Sequence, residues 1–124
     1  MSSIVHNTDC MIGMQQYKDK HFDLAIVDPP YGLPKDAVHA RGKLKNRIMN
    51  AGDMTWDVAP DAAYFTELFR VSKNQIIWGG NYFLDYLGNT RCILIWDKLD
   101  YNSDFAAFEL AWTSFDKNAK IFQR

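Results

Sequence analysis

The sequence predicts an α/β fold with one mixed sheet, and three stretches of the chain support this prediction. Leu24–Val27 is an apolar run that is long enough for a buried strand but too short for a helix. Pro60–Gly80 has the pattern of a helix, a second apolar strand (Gln75–Trp78) and a Gly-Gly turn, which indicates a crossover between parallel strands. Two further strand-like runs, Arg91–Trp96 and Phe108–Phe115, are joined without room for a helix, so we expect them to be antiparallel.

Two helices and two weaker elements complete the predicted secondary structure. Asp9 suits a helix N-cap, and apolar residues follow at helical spacing over Met11–Tyr17. The second helix begins near Pro60. Its apolar stripe consists of Ala62, Phe65, Leu68 and Phe69. Ser2–His6 is predicted to be a short strand and Asn81–Leu87 a short helix.

The composition indicates a packed domain without a global field that would attract nucleic acid. The chain has 124 residues, of which 48% are hydrophobic, so we expect one domain over residues 1–124. Its net charge is -1, so any attraction to phosphate has to be local. Cys10 and Cys92 lack metal-binding spacing, so we expect reduced thiols and no metal site. Because no apolar run approaches about 18 residues, we expect a cytoplasmic protein without a membrane partner.

One tetrapeptide combines residue types that suit chemistry on a flat amino group. Asp28-Pro29-Pro30-Tyr31 follows the first apolar run, so its acid stands at the carboxyl end of a strand, where open α/β sheets bind ligands. The prolines hold a carboxylate beside rigid carbonyl oxygens, and two such acceptors suit an amino group with two hydrogens. The tyrosine ring suits stacking on a base, which is worth roughly 1–3 kcal/mol. An ordinary tight turn is also compatible with the bare tetrapeptide.

This tetrapeptide, with Gly32 after it, resembles the catalytic motif of the S-adenosylmethionine-dependent DNA amino-methyltransferases, which methylate adenine N6 or cytosine N4. Its leading aspartate resembles the adenine-N6 type. Gly79-Gly80-Asn81-Tyr82-Phe83 matches a run that the family often carries, and Trp96-Asp97-Lys98 and Phe108–Trp112 resemble its last strands. The resemblance implies a partial Rossmann-like methyltransferase fold, whose mixed sheet ends in a C-terminal antiparallel strand pair.

The resemblance implies catalytic roles for Asp28, Pro29, Pro30 and Tyr31. The Asp28 carboxylate and the Pro29 carbonyl would each accept one N–H bond from the amine of a flipped-out base, and Tyr31 would stack on that base. Pro30 would stiffen the turn and line the cofactor. The implied cofactor is S-adenosylmethionine, bound by Asp9, Asp28 and Pro30. For Asp9, which matches an acid that contacts the cofactor adenine, a role as helix cap alone is equally suitable, and the two roles are compatible.

A stretch after the motif carries a local excess of positive charge. Residues 33–59 show little periodicity, and we expect a mobile basic loop there. Between Leu33 and Asp53, five basic residues stand against two acids, so this stretch carries +3 and the rest of the chain -4. The five are Lys35, Arg41, Lys43, Lys45 and Arg47. They would contact DNA phosphates beside the catalytic strand, and the alternative is a solvated loop without that role.

The chain departs from the family in its cofactor-binding half. No glycine-rich strand–loop–helix is present to cradle the methionine end of the cofactor, because Gly42, Gly52 and Gly88 stand alone and Gly79-Gly80 has a different context. The chain resembles the catalytic half of a permuted family member. One sheet edge would then stay open, so we expect a homodimer or a complementing chain. The alternatives are cytosine-N4 or RNA methylation, or a non-catalytic nucleic-acid-binding remnant.

Overall fold

The computed structural model describes residues 2–32 and 57–123, which form a mixed five-stranded sheet with two α-helices. The helices are α1 (Cys10–Gln15) and α2 (Ala62–Val71). The strands are β1 (Phe22–Val27), β2 (Ser72–Trp78), β3 (Ile93–Asp97), β4 (Phe108–Thr113) and β5 (Lys120–Gln123). This arrangement is compatible with the predicted α/β class. Within these two ranges, no helix has the length and apolar character needed to cross a membrane.

The strands lie in the order β1-β2-β4-β3-β5. β1 and β2 are parallel, with Ile26 opposite Ile76, and β3 and β4 are antiparallel, with Ile95 opposite Leu110. Both pairings confirm the sequence prediction. β4 is also antiparallel to β2, and β5 is parallel to β3. Therefore β1, β2, β3 and β5 all end at one rim of the sheet, and β4 begins there. Within the described part of the chain, β1 forms one edge of the sheet.

One face of the sheet packs against α2. Phe65 and Leu68 of this helix join Ile77, Phe83 and Trp112 in a buried cluster. Ile77 is completely buried, and removing such a side chain from water contributes about 1.5–3 kcal/mol. The predicted apolar stripe is therefore confirmed at Phe65 and Leu68.

Arg70, in the last turn of α2, fastens α1 to the rest of the domain. Its guanidinium donates hydrogen bonds to the carbonyls of Met14 (3.0 Å) and Tyr17 (2.9 Å). The Met14 carbonyl also accepts a hydrogen bond from the Tyr17 backbone N–H at 3.1 Å, so Arg70 adds a second donor at this end of α1. A two-point contact with Glu67 orients the guanidinium, and it lowers the pKa of that carboxyl. Because α1 is held in this way, the position of Asp9 at its start is held as well.

Two predicted elements differ from the structure, and one strand was not predicted. Ser2–His6 is exposed and forms no strand pairing, although His6 Nε2 lies 2.7 Å from the Tyr17 hydroxyl. Asn81–Leu87 is not an α-helix, because the chain forms only a short 3-10 turn at Gly80–Tyr82 and then further turns. β5 was not predicted, since four exposed residues carry no period that distinguishes them from a tail.

In addition, β1 was expected to be buried. As an edge strand of the described sheet it is largely exposed, with Leu24 41% and Ile26 62% exposed.

Candidate active site

Asp28 is the first residue after β1 and stands at the rim where the parallel strands end. β1 stays paired with β2 as far as Val27, opposite Ile77, and the two prolines then prevent further ladder hydrogen bonds. The Asp28 carboxylate accepts a hydrogen bond from the Tyr31 hydroxyl, with 2.9 Å between Oδ1 and Oη. Within residues 2–32 and 57–123 this is its only hydrogen bond, so Oδ2 is available as an acceptor.

Tyr31 is held by contacts on several sides. Its ring stacks on Tyr82, with 4.5 Å between centroids and 19° between planes. It also packs directly on the backbone of Gly79, where a Cβ atom would lie 2.1 Å from Tyr31 Cε1. Burial, followed by the hydrogen bond to Asp28, raises the pKa of Tyr31, so its hydroxyl stays a donor. Tyr31 therefore fixes the orientation of the Asp28 carboxylate.

The Gly79-Gly80 pair allows two aromatic side chains to approach the backbone closely. Gly79 has φ +71°, in the left-handed region that favours glycine, and Tyr31 occupies the space of its missing side chain. A Cβ atom on Gly80 would lie 2.5 Å from the Cβ atom of Trp112. Gly79 therefore leaves room for Tyr31, and Gly80 leaves room for Trp112.

A cavity of about 580 Å³, named here the Asp9 cavity, lies on one side of Asp28. It brings together the three residues predicted to bind a cofactor, Asp9, Asp28 and Pro30. Asp9 caps α1, since its Oδ1 accepts a hydrogen bond from the Met11 backbone N–H at 2.8 Å, and the predicted capping role is confirmed. Tyr64 forms part of the wall, and burial raises its pKa to about 12. The Asp9 cavity therefore contains a neutral phenol and several carboxylates.

A second cavity of about 470 Å³, named here the aromatic cavity, also contains Asp28. Its other lining residues are Tyr31, Trp78, Trp96, Glu109 and Phe122. Trp96 stands opposite Glu109 in the β3–β4 pair and opposite Phe122 in the β3–β5 pair, so these three residues share one face of the sheet. The sequence alone assigned no role to Trp78, Trp96, Glu109 or Phe122 in this cavity. Alternation within each strand gives the candidates, but their convergence depends on the register of strands that are distant in sequence.

The two cavities meet at Asp28, and this arrangement defines what the site can do. The Pro29 carbonyl accepts no backbone hydrogen bond among the described loop and turn contacts. Asp28 Oδ2 is an available acceptor on the wall shared by the two cavities, whereas Pro29 is buried and lines only the Asp9 cavity. Asp28 can accept a hydrogen bond from an amino group that enters from the aromatic cavity, while a second reactant occupies the Asp9 cavity.

The five predicted phosphate-binding residues, Lys35, Arg41, Lys43, Lys45 and Arg47, lie outside the described residues. The ends of that stretch meet beside the site. The Gly32 N–H donates to Asp57 Oδ1 at 3.0 Å, and Asp57 is buried. The described residues on either side of that stretch, Gly32 and Asp57, are therefore in contact next to Tyr31.

Comparisons with known proteins do not assign a function to this site. No model of a protein family matches the chain, and no curated protein matches it either. A functional conclusion therefore has to come from the residues and contacts described above.

Proposed function

We propose that this chain is the catalytic half of a DNA adenine-N6 methyltransferase on a Rossmann-like scaffold. It would transfer a methyl group from S-adenosylmethionine to a base that has left the duplex. The observation that carries the proposal is the position of Asp28 on the wall shared by the aromatic cavity and the Asp9 cavity. Transfer between two bound molecules requires such a shared wall, because reacting atoms must be held about 3–3.5 Å apart.

The aromatic cavity has the shape and lining that a flat base requires. Its volume of about 470 Å³ lies within the range of small-molecule sites, roughly 300–1,000 Å³. Trp78 and Trp96 offer ring surfaces, whereas Tyr31 already stacks on Tyr82, and each base–aromatic stack is worth roughly 1–3 kcal/mol. A base inside a duplex cannot reach Asp28 at the sheet rim, so the proposal includes flipping of the target nucleotide.

Asp28 and Pro29 would activate the amine through hydrogen bonding alone. An exocyclic amine is a poor nucleophile because its lone pair is delocalised into the ring. Acceptance of both N–H bonds, by Asp28 Oδ2 and the Pro29 carbonyl, favours a pyramidal nitrogen whose lone pair is no longer conjugated. The nitrogen gains positive charge as it is methylated, and the Asp28 carboxylate stabilises that charge. Tyr31 keeps Asp28 in place through its hydrogen bond.

The residues of the Asp9 cavity fit a positively charged cofactor. Three carboxylates, those of Asp9, Asp28 and Asp61, line it, and its described lining residues include no lysine or arginine. Val58 and Pro60 add apolar surface. Asp9 uses Oδ1 for the helix cap and keeps Oδ2 as an acceptor for an amine such as that of adenine. When bound, S-adenosylmethionine supplies an electrophilic methyl group on a cationic sulfur, and the carboxylates favour that charge.

Replacement of Asp28 by alanine tests the proposed chemistry. Purified chain, supplied with a complementing cofactor-binding half, is incubated with methyl-labelled S-adenosylmethionine and with oligonucleotides that contain adenine or cytosine as the only methylatable base. We expect label in adenine-containing DNA, and its loss in Asp28→Ala with an unchanged circular dichroism spectrum. Asp85→Ala is the matched control, since Asp85 is an exposed aspartate outside both cavities. Methylation that survives in Asp28→Ala would contradict the catalytic role of Asp28. Label in cytosine or in RNA would show that the substrate is not adenine in DNA.

A second candidate function is a non-catalytic nucleic-acid-binding protein. It is favoured by the absence from the sequence of a glycine-rich loop for the methionine end of the cofactor. Calorimetric titration of S-adenosylmethionine into the chain, with the oligomeric state measured in parallel, separates the two. Saturable binding near one cofactor per chain supports the enzyme, whether as a monomer or a dimer. DNA binding that weakens steeply with salt, without any cofactor binding, supports the alternative or a need for a complementing chain.

A further inference from the structure

The aromatic cavity contains a second charged group besides Asp28. Glu109 lines the cavity and pairs with Lys98, with 2.6 Å between Glu109 Oε1 and Lys98 Nζ. Lys98 Nζ also lies 5.6 Å from the ring centroid of Trp96, which is another wall of the cavity. The two side chains are only 25% and 31% exposed, so this ion pair is partly shielded from water. A lysine ammonium therefore stands at the border of the proposed base site.

The position of Lys98 is constrained by its surroundings. Its backbone N–H donates to the Ala107 carbonyl at 3.1 Å, directly after the end of β3. The ion pair with Glu109, which lines the cavity, holds the ammonium beside it, and the charge of Glu109 contributes to raising the pKa of Tyr31. Lys98 Nζ has three N–H donors, and among the described residues it makes one hydrogen bond, to Glu109. Two donors thus remain for a ligand.

We propose that Lys98, positioned by Glu109, donates a hydrogen bond to a ring nitrogen of the target base. This inference rests on the proposed function, because it places the base in the aromatic cavity. Asp28 recognises only the amine, which is a donor. A ring nitrogen on the same edge of the base as the amine, which is N1 or N7 of adenine, is an acceptor and matches an ammonium donor. Asp28 and Lys98 together would read a donor and an acceptor on one edge of the base, as bidentate contacts do elsewhere.

The test replaces single ring nitrogens of the base. A short single-stranded oligonucleotide with one adenine is compared with the same oligonucleotide carrying 1-deazaadenine, 7-deazaadenine or an abasic site, and its Kd is measured by fluorescence anisotropy. For the unaltered chain, we expect one of the two deaza analogues to bind about 10- to 100-fold more weakly than adenine. In Lys98→Met this ratio should fall to near one. In Glu109→Gln it should fall partly. An unchanged circular dichroism spectrum, with adenine binding that stays above the abasic level, distinguishes this fall from loss of structure.

Lys117→Met is the matched control. The Lys117 ammonium also lies over an aromatic ring, 5.8 Å from the centroid of Phe115, but Lys117 is not part of the aromatic cavity. This variant should keep the full ratio. Equal affinity for adenine and both analogues, or an unchanged ratio in Lys98→Met, would overturn the role of Lys98 while adenine binding above the abasic level still supports the base site. Equal affinity for the adenine and abasic oligonucleotides would overturn the base site and this inference together.

Discussion

Replacement of Gly79 by alanine tests the contact that orients the proposed catalytic aspartate. The new Cβ atom would lie 2.1 Å from Tyr31 Cε1 and 2.6 Å from Cζ. Non-bonded carbon atoms need about 3.5 Å, so the ring has to move by about 1.4 Å. The hydrogen bond from Tyr31 to Asp28, now 2.9 Å, cannot keep its geometry after a shift of that size.

The expected cost has two parts. A non-glycine residue at φ +71° pays roughly 1–2 kcal/mol for the left-handed backbone. Loss of one hydrogen bond adds about 0.5–1.5 kcal/mol, so we expect the free energy of unfolding to fall by about 1.5–3.5 kcal/mol. Urea unfolding followed by far-ultraviolet circular dichroism measures this change. In a methyl-transfer assay, the same variant should lose rate because Asp28 is no longer held.

Gly88→Ala is the matched control, since its added Cβ atom meets no atom within 4 Å. We expect it to be within about 0.5 kcal/mol of the unaltered chain. A double-mutant cycle gives a sharper test, because Tyr31→Ala removes the ring that the new Cβ atom meets. The cost of Gly79→Ala should then fall toward the backbone contribution alone. If Gly79→Ala unfolds at the same urea concentration as Gly88→Ala, the packing of Tyr31 on Gly79 is wrong.

Two further predictions concern the core and alkaline pH. Ile77→Ala should lower the free energy of unfolding by about 2–5 kcal/mol, because Ile77 is completely buried under α2. Ile121 is 66% exposed, so Ile121→Ala should change the free energy of unfolding by less than about 0.5 kcal/mol. If urea unfolding shows the same loss of stability for both variants, the assigned core is wrong. The raised pKa of Tyr31 means that the folded chain keeps the phenolic proton to higher pH than the unfolded chain, where it leaves near pH 10. This contribution is complete below about pH 10 and is lost as pH rises above it through the folded-state pKa, so Tyr31→Phe should weaken the loss of stability above about pH 10. If the unaltered chain and Tyr31→Phe lose the same stability over this pH range, the raised pKa of Tyr31 is wrong.

Much of the sheet could be predicted from short stretches of sequence. The pattern around Pro60–Gly80 indicated a parallel crossover, and the missing helix between β3 and β4 indicated an antiparallel pair; the structure confirms both. Asp9 was correctly identified as a helix cap. These features depend on neighbouring residues, through periodicity, capping and connection length, so they can be read locally. The methyltransferase function, its cofactor and its DNA partner remain predictions that the experiments above address.

In the candidate site, too, some features depend on neighbouring residues and others depend on the tertiary structure. The composition of Asp28-Pro29-Pro30-Tyr31 was sufficient to predict a rigid carboxylate at the end of a strand, because proline acts on its immediate neighbours. The aromatic cavity could not be predicted in this way. Trp78, Trp96 and Phe122 converge on Asp28 only through the order β1-β2-β4-β3-β5 and its register, and a shift of one residue would turn each of them to the other face. Residue types follow from the chain itself, whereas convergence at the rim follows from pairing between strands that are far apart in sequence.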